Sequence, residues 1–402
     1  MTSSSPAPTV GGRWLVGTAI VLLALNLRVA VGSIGVVLES VRDDLGMSTT
    51  VGGVLTTLPV ICFAVFGVGS AGAVRRLGLH RAAAAVLALV AIGLTMRSVV
   101  DDGALFMVCS GIALAGAAVG NVILPPLVKA HFPDRIALVT SLYGAALTGG
   151  AALASVTTVP LSDAFGGWRP GIGLWAVLAV VGLVPWLAML RRDVHSGPMT
   201  RGTLSMRDIM RSRLTWAMIL LFVAQSGGAY AQFGWFPEIM GDAGLSDGYA
   251  GALLGVISAV GIPLSLALPW LMRRTGDRPY LPWAFSAVTA VGWLAVLLVP
   301  TTTPWLWAVL LGAGSGAFPW VLTMIARRTR TTSGTASLSM ATQGIGYLIA
   351  GIAPFGVGAL HDATGSWDVP VVALIVLSGF IAVFGTIVAR PVMLEDTLGP
   401  RD

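Results

Sequence analysis

The stretch WLVGTAIVLLALNLRVAVGSIGVVL, Trp14 to Leu38, decides how this chain is read. It carries a single charge, Arg28, near its middle. A bilayer core is crossed by roughly 20 helical residues, so the run is long enough to span one. Guanidinium keeps its proton in proteins, and a charge at that depth costs from about 3 to over 10 kcal/mol. Arg28 must therefore face a protein interior or a wet cavity, and something negative or strongly dipolar must meet it. We read it as the anion-binding end of a transport site.

The composition agrees with a membrane reading. Of 402 residues, 55% are apolar and 10% charged, and the mean hydropathy is +0.86. Soluble domains carry about 25% charged residues, so this is a polytopic membrane protein. Its 51 glycines suit helices that pack closely without a hydrophobic drive between them. Cys62 and Cys109 both fall in apolar runs and read as small buried side chains. No CxxC or Cys/His metal pattern occurs. Met1 to Gly12 lacks the basic start and small-residue cleavage site of a signal peptide, so the first span is expected to stay in the mature protein.

Twelve apolar runs follow one another: 14–38, 49–73, 82–99, 104–128, 137–160, 170–190, 214–237, 248–272, 281–299, 304–326, 336–359 and 369–389. An even number puts both termini on one side. If that side is the cytoplasm, 20 of the 24 Lys and Arg face it and only Arg42, Arg97 and Arg169 lie outside, with Arg28 left in the membrane. The positive-inside rule therefore predicts cytoplasmic termini in a cell (cytoplasmic) membrane. This distribution also explains the net charge of +6 without nucleic acid. The opposite loops are short and mostly acidic, with Asp43, Asp44, Asp101, Asp102, Asp163, Asp242, Asp247, Asp362 and Asp368. Arg97, four residues before Asp101, is expected to snorkel or to pair with that carboxylate.

The chain divides and repeats. The longest internal polar stretch, Arg191 to Arg213, separates six runs from six, so the expected units are 1–190, a linker 191–213, and 214–402. At an offset of 198 residues, Gly46, Ser48, Gly53, Leu55, Arg75, Arg76 and Gly78 fall on Gly244, Ser246, Gly251, Leu253, Arg273, Arg274 and Gly276 without a gap. The matched block is an outer Gly-x-Ser entry, a whole span and a basic turn. Parallel six-span repeats of this kind build major facilitator transporters. The expected fold is an all-α membrane protein of twelve transmembrane helices in two six-helix pseudo-repeats.

Several stretches carry a closer resemblance. Arg75-Arg76-Leu77-Gly78-Leu79-His80-Arg81 resembles a degenerate form of the major facilitator signature loop, with Arg75 where the usual acid would stand. Asn26-Leu27-Arg28, Gly120-Asn121-Val122-Ile123-Leu124-Pro125, Gly316-Ala317-Phe318-Pro319 and Gly344-Ile345-Gly346-Tyr347-Leu348 resemble the cyanate/2-nitroimidazole porter family. The resemblance implies a central cavity lined by spans 1, 4, 7 and 10, with help from 5, 8 and 11.

Large polar or aromatic side chains at depth are few. They are Asn26 and Arg28 in span 1, Asn121 in span 4, Tyr143 in span 5, Gln225 and Gln232 in span 7, Phe318 and Trp320 in span 10, and Gln343 and Tyr347 in span 11. Gln343 and Tyr347 are spaced i to i+4 and so share a face. Gly228 and Trp235 continue the stripe of Gln225 and Gln232. These ten residues are the candidate substrate contacts. Amides and hydroxyls would fix a small polar solute, Arg28 would pair with its negative atoms, and the aromatic rings would suit a planar one. Pro125 and Pro319 free backbone carbonyls and allow bending. A structural reading stands beside each: Arg28 as a lock held by carbonyls or amide oxygens, Asn121 and the glutamines as interhelical hydrogen bonds, and the aromatics as packing.

No Asp or Glu lies inside a span, and His80, His131, His195 and His361 all fall in loops. An interior proton relay has no obvious carrier, and a cation would meet Arg28 without a compensating acid. Gly144 to Gly150 lacks the Lys-Ser/Thr ending of a phosphate loop and reads as close helix packing. An enzyme, an ATP-driven pump and a cofactor or metal site are not expected. The expectation is a secondary transporter for a small anionic or weakly polar solute, cyanate- or nitroimidazole-like, with the lipid bilayer and that solute as partners; the resemblance implies a fold that can act as a monomer, and the oligomeric state stays open. Efflux of hydrophobic drugs, with Arg28 structural, is the rival; a non-transporting membrane sensor is the third reading.

Overall fold

The computed structural model describes residues 10–35, 37–47, 51, 54–55, 58–59, 61–63, 65–67, 76–190 and 206–398. Among them, eleven helices are long and apolar enough to cross a membrane. Span 1 is Arg13–Gly35, span 3 Leu79–Arg97, span 4 Gly103–His131, span 5 Ile136–Ala164 and span 6 Trp168–Leu190. Span 7 is Arg213–Asp242, span 8 Gly248–Thr275, span 9 Tyr280–Leu298, span 10 Pro304–Arg327, span 11 Thr332–Thr364 and span 12 Asp368–Ala389. Span 2, the run 49–73, is described only in part, and Arg75 of the basic turn and residues 191–205 of the linker lie outside the described residues.

Local chemistry sets the helix ends. The Asp102 carboxylate accepts from the backbone N–H of Leu105 at 2.8 Å and opens span 4. Ser212 does the same for span 7 through Leu214, at 3.2 Å, and Thr331 for span 11 through Gly334, at 3.0 Å. Each satisfies one of the donors that every helix start leaves unpaired. Span 10 is broken at Ser315–Gly316 into Pro304–Gly314 and Ala317–Arg327. Pro319 lacks the N–H that would bond the Ser315 carbonyl, and Phe318 takes that carbonyl instead at 3.1 Å. Span 11 contains a π-helical turn, Met340–Ile345.

The internal repeat is visible in the packing. Spans 3 and 4 pair as spans 9 and 10 do, spans 3 and 6 as spans 9 and 12 do, and spans 1 and 5 as spans 7 and 11 do. Between the two sets, span 5 lies along span 8. Span 2 meets span 11 where Gly67 approaches Gly344: a Cβ at Gly67 would stand 3.3 Å from the Gly344 Cα.

Basic side chains meet where the start of span 1 and the ends of spans 4 and 10 come together. There Arg13 pairs with Asp134, and the hydrogen bond from Arg13 holds the Asp134 carboxyl below the usual carboxylate range. Arg328 is buried and donates to Asp277 at 2.7 Å and to the Val388 carbonyl at 2.8 Å. The short 3-10 turn Leu394–Thr397 closes over this end. Its Glu395 accepts from the backbone N–H groups of Arg330 and Thr331 at 2.9 and 3.1 Å, where the dipole of span 11 favours an anion.

Arg97 corrects an expectation. It neither snorkels nor pairs with Asp101, which binds Arg169 at 2.6 Å instead. Arg97 is fully buried between spans 3 and 1, donating to the Ala30 carbonyl at 3.1 Å and the Ser33 hydroxyl at 2.7 Å. A carbonyl and a hydroxyl compensate a guanidinium poorly, and volume-matched apolar replacements of buried charges are often neutral or stabilising. Arg97→Met is therefore expected to melt at or above the wild-type temperature in detergent. Arg97→Ala, which leaves a cavity, is expected to cost about 2–5 kcal/mol. A melting point for Arg97→Met well below that of the wild type would show that the charge itself holds the two spans.

Candidate functional site

Arg28 lies inside span 1 and remains partly exposed. Its guanidinium stands over the ring of Phe63 from span 2, 5.8 Å from the centroid, within cation–π range. Its electrostatic neighbours are Tyr347 of span 11 and Tyr230 of span 7. Among the described residues no carboxylate pairs with it.

Tyr347 is the centre of the aromatic cluster. It stacks on Phe63 at 5.1 Å and 25° and meets Phe222 edge-to-face at 4.8 Å and 89°. The Tyr230 ring lies 6.1 Å from it, and Phe222 extends the cluster to Phe318 at 6.2 Å. A glycine makes this possible: a Cβ at Gly346 would stand 2.6 Å from the Phe222 ring. The buried Tyr347 hydroxyl lies beside Arg28 without hydrogen-bond geometry to any described residue. Tyr143 of span 5 is an electrostatic neighbour of Tyr347, and its own buried hydroxyl is likewise unbonded among the described residues. One cation, three phenols and three phenylalanine rings thus converge from both halves. Such a set offers ring faces to a flat solute and a cation and phenol donors to an electron-rich edge.

The other candidates are placed elsewhere. Asn26 is fully buried and donates to the Leu178 carbonyl of span 6 at 3.2 Å and to Leu22 at 2.8 Å, so it ties spans 1 and 6 together. Asn121 donates along its own helix to Ala117 at 3.0 Å. Gln225 and Gln232 share a face as expected, but they line a separate cavity of ≈ 40 Å³ with Thr289, Ser315 and Ser378. That volume holds a few waters at most. Trp320 is packed in the main apolar core, and the Trp235 indole donates to the Pro354 carbonyl at 2.8 Å. Gln343 bonds span 4, at the Asn121 carbonyl, 3.2 Å away. The π turn explains why it parts from Tyr347: i→i+5 closure rotates the register between them.

Sequence reasoning missed Tyr230, Phe63 and Phe222. Tyr230 had a signal, being one of only 5 tyrosines and lying at depth in span 7, where a hydroxyl needs a partner. A phenylalanine in an apolar run carries no such mark.

The model of the Major Facilitator Superfamily matches residues 16–351. The chain belongs to this superfamily. Its relatives include the 2-nitroimidazole transporter of Escherichia coli (strain K12), 32% identical over 92% of this chain and 94% of the relative. The cyanate transport protein CynX of the same organism is 31% identical, over 87% and 90%. Among solved structures, the proton:xylose symporter XylE superposes with a TM-score of 0.73 at 12% identity, covering 95% of each chain; at that identity the likeness concerns the fold. This major facilitator chain is a multi-pass membrane transporter, and its partners include the bilayer and a small molecule.

Proposed function

We propose that the protein is a secondary transporter of a small anionic or weakly polar, flat solute, of the cyanate or nitroimidazole kind, with Arg28 as its charge partner. The observation that carries this is the uncompensated guanidinium set among Phe63, Tyr230 and Tyr347. A charge within a membrane span and with no acidic companion binds best what supplies the missing sign. The 2-nitroimidazole and cyanate relatives support the same class. Transport proceeds by rocking of two six-span units, 1–190 and 214–402, joined by 191–213, about this midplane site. The basic end faces the cytoplasm, both termini lie there, and one chain suffices.

The aromatic walls also suit hydrophobic drugs, so the test separates the two. In a thermal-shift series on the purified protein, cyanate, nitrate and nitroimidazoles are expected to raise the melting temperature with concentration, because they bind the native state alone. Tyr347→Phe and Tyr230→Phe are each expected to weaken that binding about five- to tenfold, the loss of one hydrogen bond to a charged or polar ligand. Stabilisation by lipophilic cations that small anions leave unaffected would favour drug efflux and set aside the charge-partner role.

A further inference from the structure

Pro125 and Pro126 stand side by side within span 4. Neither nitrogen carries a hydrogen, so the carbonyls four residues earlier, those of Asn121 and Val122, receive no helical bond. Both residues are almost fully buried, where an unmet carbonyl is costly. Both are met from the other half of the molecule. The Ser339 hydroxyl of span 11 donates to the Val122 carbonyl at 2.7 Å. Gln343 donates one amide hydrogen to the Asn121 carbonyl at 3.2 Å and the other to the Ser339 oxygen at 2.8 Å. Two orphaned acceptors thus face two donors, while the Gln343 Oε1 accepts from no described residue. One turn further toward the basic end, Lys129 donates to the Ala326 and Thr329 carbonyls of span 10 at 3.2 and 2.9 Å.

We propose that Pro125–Pro126 and Ser339–Gln343 form the latch that holds the basic end closed. The prolines leave two carbonyls in span 4 that only the closed arrangement satisfies with protein donors. When the halves part, both bonds are exchanged for water. An unbroken helix would satisfy these carbonyls in either arrangement and would give no preference for closure. The latch acts on the closed-to-open equilibrium and does not depend on which solute the Arg28 site holds.

The test is a distance measurement on the full chain in nanodiscs. Spin labels go on Arg135→Cys and Arg278→Cys, both exposed, at the basic end and on opposite halves, in a Cys62→Ala, Cys109→Ala background. Ser339→Ala with Gln343→Met is expected to shift the population toward the longer distance, about fivefold in the closed-to-open ratio for each bond removed. Pro125→Ala with Pro126→Ala is expected to shift it in the same direction, because the restored N–H groups take over both carbonyls. The four changes together are expected to go no further than either pair. If the quadruple variant folds poorly, the pair Ser339→Ala and Pro126→Ala tests the same coupling on one bond. Unchanged distances in Ser339→Ala/Gln343→Met, or full additivity of the two pairs, would overturn the latch.

Discussion

Arg28→Ala is expected to lower uptake of a small anion into liposomes at least a hundredfold while leaving the protein as stable as before, or more so. The first half follows from the bonds lost. A guanidinium offers two parallel charge-assisted hydrogen bonds, each worth roughly 1.5–3 kcal/mol to a charged acceptor. The second half separates site from lock. Arg28 has no acidic partner among the described residues, and its neighbours are two phenols and a ring, so its removal breaks no ion pair and relieves an uncompensated charge. Arg28→Lys is expected to recover only part of the rate, since an ammonium keeps the charge and loses the planar fork. Flux and melting temperature measured on the same preparations decide the matter. Intact transport in Arg28→Ala would remove the residue from the site. A collapse of the melting temperature with loss of transport would make it structural.

Gly150→Val is expected to prevent folding, and Gly150→Ala to cost at least about 2–3 kcal/mol, at the upper range of overpacking effects. At this position span 5 crosses span 1 backbone to backbone. A Cβ on Gly150 would overlap the Leu25 carbonyl, and the next nearest atoms are also Leu25 backbone, so no side chain can swing aside. Leu25 lies one turn before Arg28 in span 1, and the same crossing therefore sets how far Arg28 stands from span 5. The neighbouring Gly149 has nothing within 4 Å of its Cβ position. Gly149→Ala is expected to be neutral or to gain up to about 1 kcal/mol in helix propensity. Fluorescence-detected size exclusion and melting curves of the two alanine variants make the comparison. Equal stability would show that spans 1 and 5 separate without cost.

How much was legible in the chain differs by feature. Span positions were readable because hydropathy accumulates along a helix that must satisfy its own backbone in lipid. The repeat was readable because its glycines and arginines recur at turns, where backbone geometry and topology restrict the residue type. That Arg28 would turn toward protein rather than lipid followed from the cost of its charge, which no neighbour can cancel before folding. Its aromatic surroundings did not follow. In lipid a phenylalanine facing outward and one packed into an aromatic cluster look alike to any pattern of hydropathy, and Phe63 and Phe222 are such cases.

The amides divide along the same line. A buried asparagine or glutamine must find partners, and that much is local chemistry. Which partner it finds depends on the helix placed opposite. Asn26 meets span 6, Gln225 and Gln232 meet a small cavity within the second half, and Gln343 meets a carbonyl in the first. Sequence alone determined that Pro125 leaves an acceptor unmet, because proline has no N–H in any fold. Only the tertiary structure decided that Gln343, 222 residues away, would meet it, because a hydrogen bond between halves exists only where packing brings two backbones within reach.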